Sequence, residues 1–97
     1  MTIARVAGTV VGSAVDPGLA GQRFLLVEDC DHAGKGRADF IVALDAVGAD
    51  RGQLVLLAQG SSCHWSRMTA EKPVDALVVA IVDGIDEGGR VTYPQAG

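Results

Sequence analysis

The chain has 97 residues, a net charge of −4 and two cysteines, and 48% of its residues are hydrophobic although only 4% are aromatic. One domain covering residues 1–97 fits this length, and the acidic charge argues against nucleic acid or an acidic membrane surface as a partner. Because the sequence has neither an N-terminal signal nor an apolar run of the roughly 18 residues that cross a membrane, we expect a soluble cytoplasmic protein.

Alternating residues predict a β-strand over residues 2–14 at the start of the chain. The next strand candidates are residues 22–28, where Phe24 and Leu26 share one face and Leu25 and Val27 the other, and residues 38–45. The polar, glycine-rich segment 31–36 is typical of a hairpin loop, so the second and third strands should pair with each other. Thirteen glycines in the chain also favour short strands and tight turns over long helices.

A continuous apolar run marks the fourth strand, which covers residues 53–59. Its lack of alternation predicts burial on both faces. The loop before it contains Gly48 and Gly52, which we expect to adopt positive φ angles. Gly60 ends the strand because glycine allows a sharp bend, and residues 63–67 that follow could form one or two turns of helix.

The last third of the chain contains the longest apolar strand candidate, residues 75–85. A turn at Gly88 and Gly89 then predicts a return strand over residues 90–93.

Several of these strands are apolar on both faces, whereas a small barrel on its own needs apolar residues only on its inner face. Scattered surface valines are one explanation, since they are normal on soluble proteins. We favour the other explanation, an outer face covered by further subunits in a closed ring, because the excess recurs in strand after strand. Both phenylalanines, Phe24 and Phe40, are assigned to the core.

In these segments and their order, the sequence resembles the EutN/CcmL family, whose members form the pentameric vertices of bacterial microcompartment shells. The matching segments cover nearly the whole chain and are, in order, IARVAGTVVGSA, FLLVEDCD with its GKG loop, ALDAVGA, LVLLAQGSS and PVDALVVAIVDGI. Each segment is short and apolar, but together their order and spacing make the resemblance specific.

The resemblance implies a mainly β fold: a small closed OB-like β-barrel with one short helix, assembled as a homopentamer around a narrow central opening. Such rings close the corners of a shell built mostly of hexameric proteins. The implied partners are therefore further copies of this chain and the hexameric shell proteins. Neither an enzymatic activity nor a cofactor is implied.

Gly60, Ser61 and Ser62 match a family motif, and the resemblance places them at the central opening of the ring. Ser61 has a second explanation, because a serine at this point can cap a helix in the absence of any oligomer.

Four residues are candidates for subunit contacts. Asp75 and Asp83 match family positions and would anchor backbone donors at a strand end or at a contact between subunits. Ile41 and Val79 represent the outward-facing residues of two strands, and the pattern leaves the choice of outward face open by one residue.

Two other functions are suggested by parts of the sequence. Cys30 and His32, with Cys63 and His64, supply the residue types of a zinc site, but the C-x-H spacing is tighter than the usual structural pattern and favours reduced thiols and surface histidines. An OB-like barrel could also be a stand-alone binding module for a small ligand or single-stranded nucleic acid. The acidic charge and the few aromatic residues available for base stacking argue against that role.

Overall fold

The computed structural model describes residues 1–12, 21–60 and 76–94, and its regular elements are β-strands. In chain order they are β1 (Thr2–Val10), β2 (Phe24–Cys30), β3 (Gly36–Asp45), β4 (Leu54–Gln59), β5 (Ala76–Ile81), β6 (Ile85–Glu87) and β7 (Arg90–Tyr93). β1 ends earlier than predicted for residues 2–14, and the helix predicted over residues 63–67 lies outside the described residues. No helix in the described ranges is long and apolar enough to cross a membrane.

Five strands close into a barrel in the order β1-β2-β3-β5-β4. Neighbouring strands are antiparallel except β3 and β5, which pair in parallel only through Leu44 with Leu77 and Asp45 with Val78. The predicted small closed barrel and the pairing of β2 with β3 are therefore confirmed. β6 and β7 form a separate two-stranded sheet.

The barrel interior is filled by aliphatic side chains that alternate along the strands. In β2, Leu25 and Val27 are fully buried, whereas Phe24 and Leu26 on the opposite face are half-buried. The interior cluster consists of Ala4, Val6, Leu25, Val27, Ala43, Ala49, Val55, Leu57, Ala76 and Val78. Burial of a valine or leucine side chain is worth about 1.5–3 kcal/mol, so this core stabilises the barrel without aromatic residues.

A second apolar cluster lies on the outer side of the barrel. Leu44, Leu77 and Ala58 are buried there, and Phe24 and Val79 pack against them. Each of these five residues is next in sequence to a residue of the interior cluster, so it lies on the opposite face of its strand. The prediction that the β4 strand is buried on both faces is thereby confirmed.

The prediction of a single strand over residues 75–85 is wrong. β5 ends at Ile81, and after a break in the pairing Ile85 begins β6. The backbone N–H of Val82 makes one further bond, of 2.8 Å, to the Leu54 carbonyl before the chain leaves the barrel. Apolar residues stand on both sides of this break, at Val82 and Ile85, so the segment resembles one long strand.

Glycines form the tight turns at the predicted positions. Gly48 and Gly52 have φ angles of 75° and 91°, and the β6–β7 turn contains Gly88 and Gly89 with φ angles of 62° and 89°. Two successive positive φ angles suit the twist of a two-residue hairpin. The Gly89 N–H also donates to Asp86 Oδ1 at 2.8 Å, which closes this turn.

A buried carboxylate organises the turn after β3. Asp45 Oδ1 accepts hydrogen bonds from the backbone N–H groups of Val47, Gly48 and Ala49 at 3.1, 3.0 and 3.4 Å. Its other oxygen lies 3.3 Å from Arg23 Nη1, and only 2% of the Asp45 side chain is exposed. One side chain therefore satisfies three backbone donors that the turn leaves unpaired.

A second aspartate shapes the loop between β2 and β3. Asp31 Oδ1 accepts the N–H groups of Lys35 at 3.0 Å and Ala33 at 2.9 Å. These bonds hold the pKa of Asp31 below its ordinary value, and the bond from Lys35 has the largest effect. The stabilisation they provide is present above the pKa of the unfolded chain and is lost as the pH falls through the lowered pKa.

Gly36 begins β3 where the Glu28 carboxylate occupies the space that a side chain would need. A Cβ at Gly36 would lie 2.6 Å from Glu28 Oε1. The same carboxylate accepts the N–H of Ala38 at 2.9 Å, and Ala38 has a positive φ of 57°. Glu28 therefore holds the irregular start of β3 in place.

We expect Gly36→Ala to lower the free energy of unfolding by about 0.5–1.5 kcal/mol, because Glu28 has to swing away and lose its bond to Ala38. Chemical denaturation measures this change. Gly8→Ala is the matched control, since a Cβ at Gly8 meets nothing within 4 Å and its φ is not in the left-handed region. Equal stability losses in the two variants would contradict the role given to Glu28.

Candidate assembly surface

The outer face of β3 exposes apolar side chains in the middle of the strand. Phe40 and Val42 are 50% and 49% exposed. The assignment of Phe40 to the core is therefore wrong for the single chain. Ile41, between them, packs against the interior cluster. The outward residues of β3 are thus one position away from Ile41, and a role for Ile41 at a subunit contact stays a prediction.

Among the described strands, β3 also has a backbone edge that is left free of pairing. On one side it pairs with β2 along most of its length, but on the other side it meets β5 only at Leu44 and Asp45. Among the described strands, none pairs with that edge over residues 37–43. A free edge beside exposed apolar residues is a surface to which another chain can add a strand.

The other predicted contact residues lie in different surroundings. Val79 is half-buried against the outer cluster, beside Leu77. Asp83 is exposed in the segment that follows β5. Asp75 lies outside the described residues, so its position stays a prediction, as do the contact roles of Val79 and Asp83.

The corner at the end of β4 contains Gly60 with a positive φ of 61°. This confirms the sharp bend predicted there. A Cβ on Gly60 would meet nothing within 4 Å among the described residues. Ser61 and Ser62 lie outside the described residues, and the assignment of all three residues to a central opening stays a prediction.

We expect Gly60→Val to lower the free energy of unfolding by about 1–3 kcal/mol, because a β-branched residue is strained at this φ angle. Thermal or chemical unfolding measures the loss. Gly12→Val is the matched control: Gly12 also has open space around it, but its φ is outside the left-handed region. If the two variants lose the same free energy of unfolding, the positive φ angle of Gly60 is not the cause of the loss.

The β6–β7 hairpin lies against the loop between β2 and β3. Gly34 of that loop lies between β4 and the hairpin, since a Cβ there would lie 3.2 Å from Leu54 Cδ2 and 3.4 Å from Tyr93 Cδ2. The Arg5 guanidinium donates to the Gly34 carbonyl at 3.0 Å. A pocket of about 470 Å³ opens beside this contact and is lined by Arg5, Ala33, Gly34, Lys35, Gly36 and Tyr93.

Of the residues considered for a zinc site, Cys30 and His32 lie in the described part of the chain. Cys30 is buried, and this burial raises the pKa of its thiol, which disfavours the reactive thiolate. His32 Nε2 lies 3.1 Å from Glu87 Oε2 of the hairpin. The described residues contain no cluster of three metal-binding side chains, and Cys63 and His64 lie outside them.

The sequence profile of the family described as "Ethanolamine utilisation protein EutN/carboxysome" matches residues 1–83. The chain belongs to the EutN/CcmL family. It is 42% identical over 93 residues to the carboxysome shell vertex protein CcmL of Synechococcus elongatus, a match that covers 96% of this chain and 94% of the relative. The expected family membership is therefore confirmed, and with it a place among the shell proteins of bacterial microcompartments.

Solved structures of EutN/CcmL proteins have the same fold. CcmL of Nostoc sp. superimposes with a TM-score of 0.90 at 40% identity, covering 98% of this chain and all of that one. The pentameric microcompartment shell protein GrpN of Rhodospirillum rubrum superimposes with a TM-score of 0.80 at 31% identity, covering 90% of this chain and 99% of that one.

Two features of the surface of this chain were not predicted from the sequence. The first is the free edge of β3, which becomes visible only when the short β3–β5 pairing is known. The second is the separate hairpin, for which a signal existed: Gly84 interrupts the apolar run of residues 75–85, and a glycine inside a strand pattern often marks a break.

Proposed function

We propose that this chain assembles into a homopentamer that closes the vertices of a bacterial microcompartment shell, and that its role is structural and not enzymatic. Its relatives are named as shell vertex proteins, and the related GrpN is a pentameric shell protein. The observation on this chain that carries the proposal is the exposed apolar face of β3.

A single barrel leaves Phe40 and Val42 about half in water. Burial of such side chains in a subunit contact is favourable by about 25 cal/mol for each Å² removed from water. If every subunit makes the same contact, a closed ring leaves no copy of this face exposed, whereas an open array of the same contacts would grow into a fibre. The number five is supported by the relatives and not by the apolar face.

A non-enzymatic role is supported by the structural contacts of two aspartates, Asp45 and Asp31, and by the burial of the Cys30 thiol. Asp45 and Asp31 accept backbone N–H groups and so maintain turns. Burial raises the pKa of the Cys30 thiol, which disfavours its thiolate. These groups stabilise the fold instead of supplying an acid, a base or a nucleophile.

The partners in this proposal are further copies of the chain and the hexameric proteins that form the facets of the shell. The test is to produce the facet proteins with and without this chain and to examine the particles by electron microscopy. We expect closed polyhedral shells only when the chain is present. A Val11→Glu variant, which places a charge at a 93% exposed residue directly after β1, should close shells as the unchanged chain does. Shells that close equally well without the chain would overturn the proposal.

A further inference from the structure

We infer that the pocket beside the β2–β3 loop is a binding site for a small oxyanion, a free phosphate or carboxylate compound, which the Arg5 guanidinium and the Lys35 ammonium group hold. This site goes beyond the proposed role at the shell vertex and does not depend on it, because every residue that carries the inference belongs to a single chain. The pocket has a volume of about 470 Å³, and sites for small molecules usually measure about 300–1,000 Å³.

Positive charge is concentrated in this pocket although the chain as a whole is acidic. The sequence has 12 acidic residues and 8 lysines and arginines. Among the described residues that line the pocket, the charged ones are Arg5 and Lys35, and both are cations. A concave surface lined by charge of one sign focuses the electrostatic field and attracts ligands of the opposite sign, so this pocket favours an anion.

Arg5 keeps hydrogen-bond donors for a ligand. Its Nη2 donates to the Gly34 carbonyl at 3.0 Å, and this bond fixes the guanidinium beside the loop. A guanidinium has five N–H donors, and that of Arg5 forms no ion pair with any carboxylate of the described residues. Arg5 is also half-buried, and a partly buried charge is more stable when an opposite charge pairs with it. The planar fork of N–H groups matches the oxygens of a phosphate or a carboxylate.

Three acids close to the pocket in the fold have partners of their own. Glu28 is directly opposite Arg5 in the β1–β2 pairing, but its carboxylate accepts a backbone N–H at the start of β3. Asp31 Oδ1 accepts two N–H groups of the loop, and Glu87 of the hairpin lies 3.1 Å from His32. These acids reduce the local positive field, but they leave both cations of the pocket without a paired carboxylate.

The loop supplies the wall of the pocket, and the two side chains supply the donors. The backbone N–H groups of Ala33, Gly34 and Lys35 all donate to Asp31, so they are not available to a ligand. Gly34 has a φ of 81°, and a Cβ there would lie 3.4 Å from Tyr93 Cδ2. The turn therefore presents a bare backbone beside the Tyr93 ring, and the anion is bound by Arg5 and Lys35.

Fluorine NMR tests this site, because Tyr93 lines the pocket and is the single tyrosine of the chain. The full chain is produced with 3-fluorotyrosine, which gives one resonance, and is titrated with inorganic phosphate at constant pH and ionic strength. We expect a shift of this resonance that saturates with phosphate. Chloride added in place of phosphate should produce no such shift.

Two variants and a control assign the binding to the two cations. Arg5→Gln should raise the dissociation constant for phosphate about tenfold, because it removes a charged hydrogen-bond donor. Lys35→Gln should raise it several-fold, and since Lys35 is exposed, this variant decides the test if Arg5→Gln disturbs the loop. Arg51→Gln is the matched control, because Arg51 is an exposed cation that does not line the pocket.

A shift that does not saturate, or an equal loss of affinity in Lys35→Gln and Arg51→Gln, overturns the inference. So does an unchanged protein that binds no phosphate while Arg5→Gln and Lys35→Gln lower the mass of the assembly, since the two cations would then pair with a carboxylate of a neighbouring subunit. A monomeric protein that binds phosphate through both cations would overturn the proposed ring and leave this site standing.

Discussion

Phe40→Glu is expected to convert the ring into monomers that keep the barrel fold. Phe40 is half exposed in the single chain, so a glutamate is tolerated there before assembly. In the ring the same carboxylate would lose water in an apolar contact, which costs several kcal/mol without a paired cation. Because the change is present in every subunit, every contact of the ring is weakened together. Light scattering gives the mass, and circular dichroism checks the fold.

Two control variants separate this effect from a general loss of stability. Val11→Glu places the same charge at a more exposed valine and should leave the mass unchanged. Ile41→Glu should instead unfold the barrel, because Ile41 packs against the interior cluster. An intact ring in the Phe40→Glu variant would show that the outer face of β3 lies outside the subunit contact.

Asp45→Ala is expected to lower the free energy of unfolding by about 2–4 kcal/mol. The change leaves three backbone N–H groups without their acceptor and removes the nearer of the two carboxylates beside Arg23. Ala49 is buried, and a buried donor without a partner costs about 1–3 kcal/mol, whereas the exposed Val47 and Gly48 can turn to water and recover part of the loss. Chemical denaturation of the assembled protein and of the Phe40→Glu variant measures the change with and without assembly.

Asp45→Asn tests which part of the side chain matters. The amide oxygen still accepts the three N–H bonds, so the loss should be smaller, about 1 kcal/mol. Asp50→Ala is the surface control, because Asp50 lies 3.9 Å from the same arginine but its side chain is 81% exposed. A loss in Asp50→Ala equal to that in Asp45→Ala would mean that the ion pair with Arg23, and not the turn, explains the effect.

The sequence predicted those parts of the fold that depend on local patterns. Alternation identified β1, short apolar segments bounded by polar and glycine residues identified β2 and β3, and the unbroken run of β4 correctly predicted burial on both faces. Glycines at positions 48, 52 and 60 have the positive φ angles expected of them. Each of these features is set by a few neighbouring residues, so it can be recognised without knowledge of the partner strand.

The outward face of β3 could not be chosen in the same way. Phe40, Ile41 and Val42 are consecutive apolar residues, so alternation does not distinguish the interior from the exterior. The pairing with β2 decides the matter by setting Ile41 beside Val27, which is buried in the core. This is long-range information that a single sequence does not contain.

The role of Asp45 was also missed, although the sequence contained a signal for it. An aspartate followed three residues later by a glycine is a common turn pattern, because the carboxylate can accept the next backbone N–H groups. Gly48 stands at that position, and its N–H does donate to Asp45. The depth of burial of the carboxylate, in contrast, depends on how the turn packs against the barrel.

The mass of the purified protein tests the central claim most directly. Size-exclusion chromatography coupled to light scattering, over a range of protein concentrations, should give a single species with five times the mass of one chain. A ring of another size would keep the fold but would not fit a five-fold corner. A monodisperse monomer at every concentration would contradict the proposed vertex role.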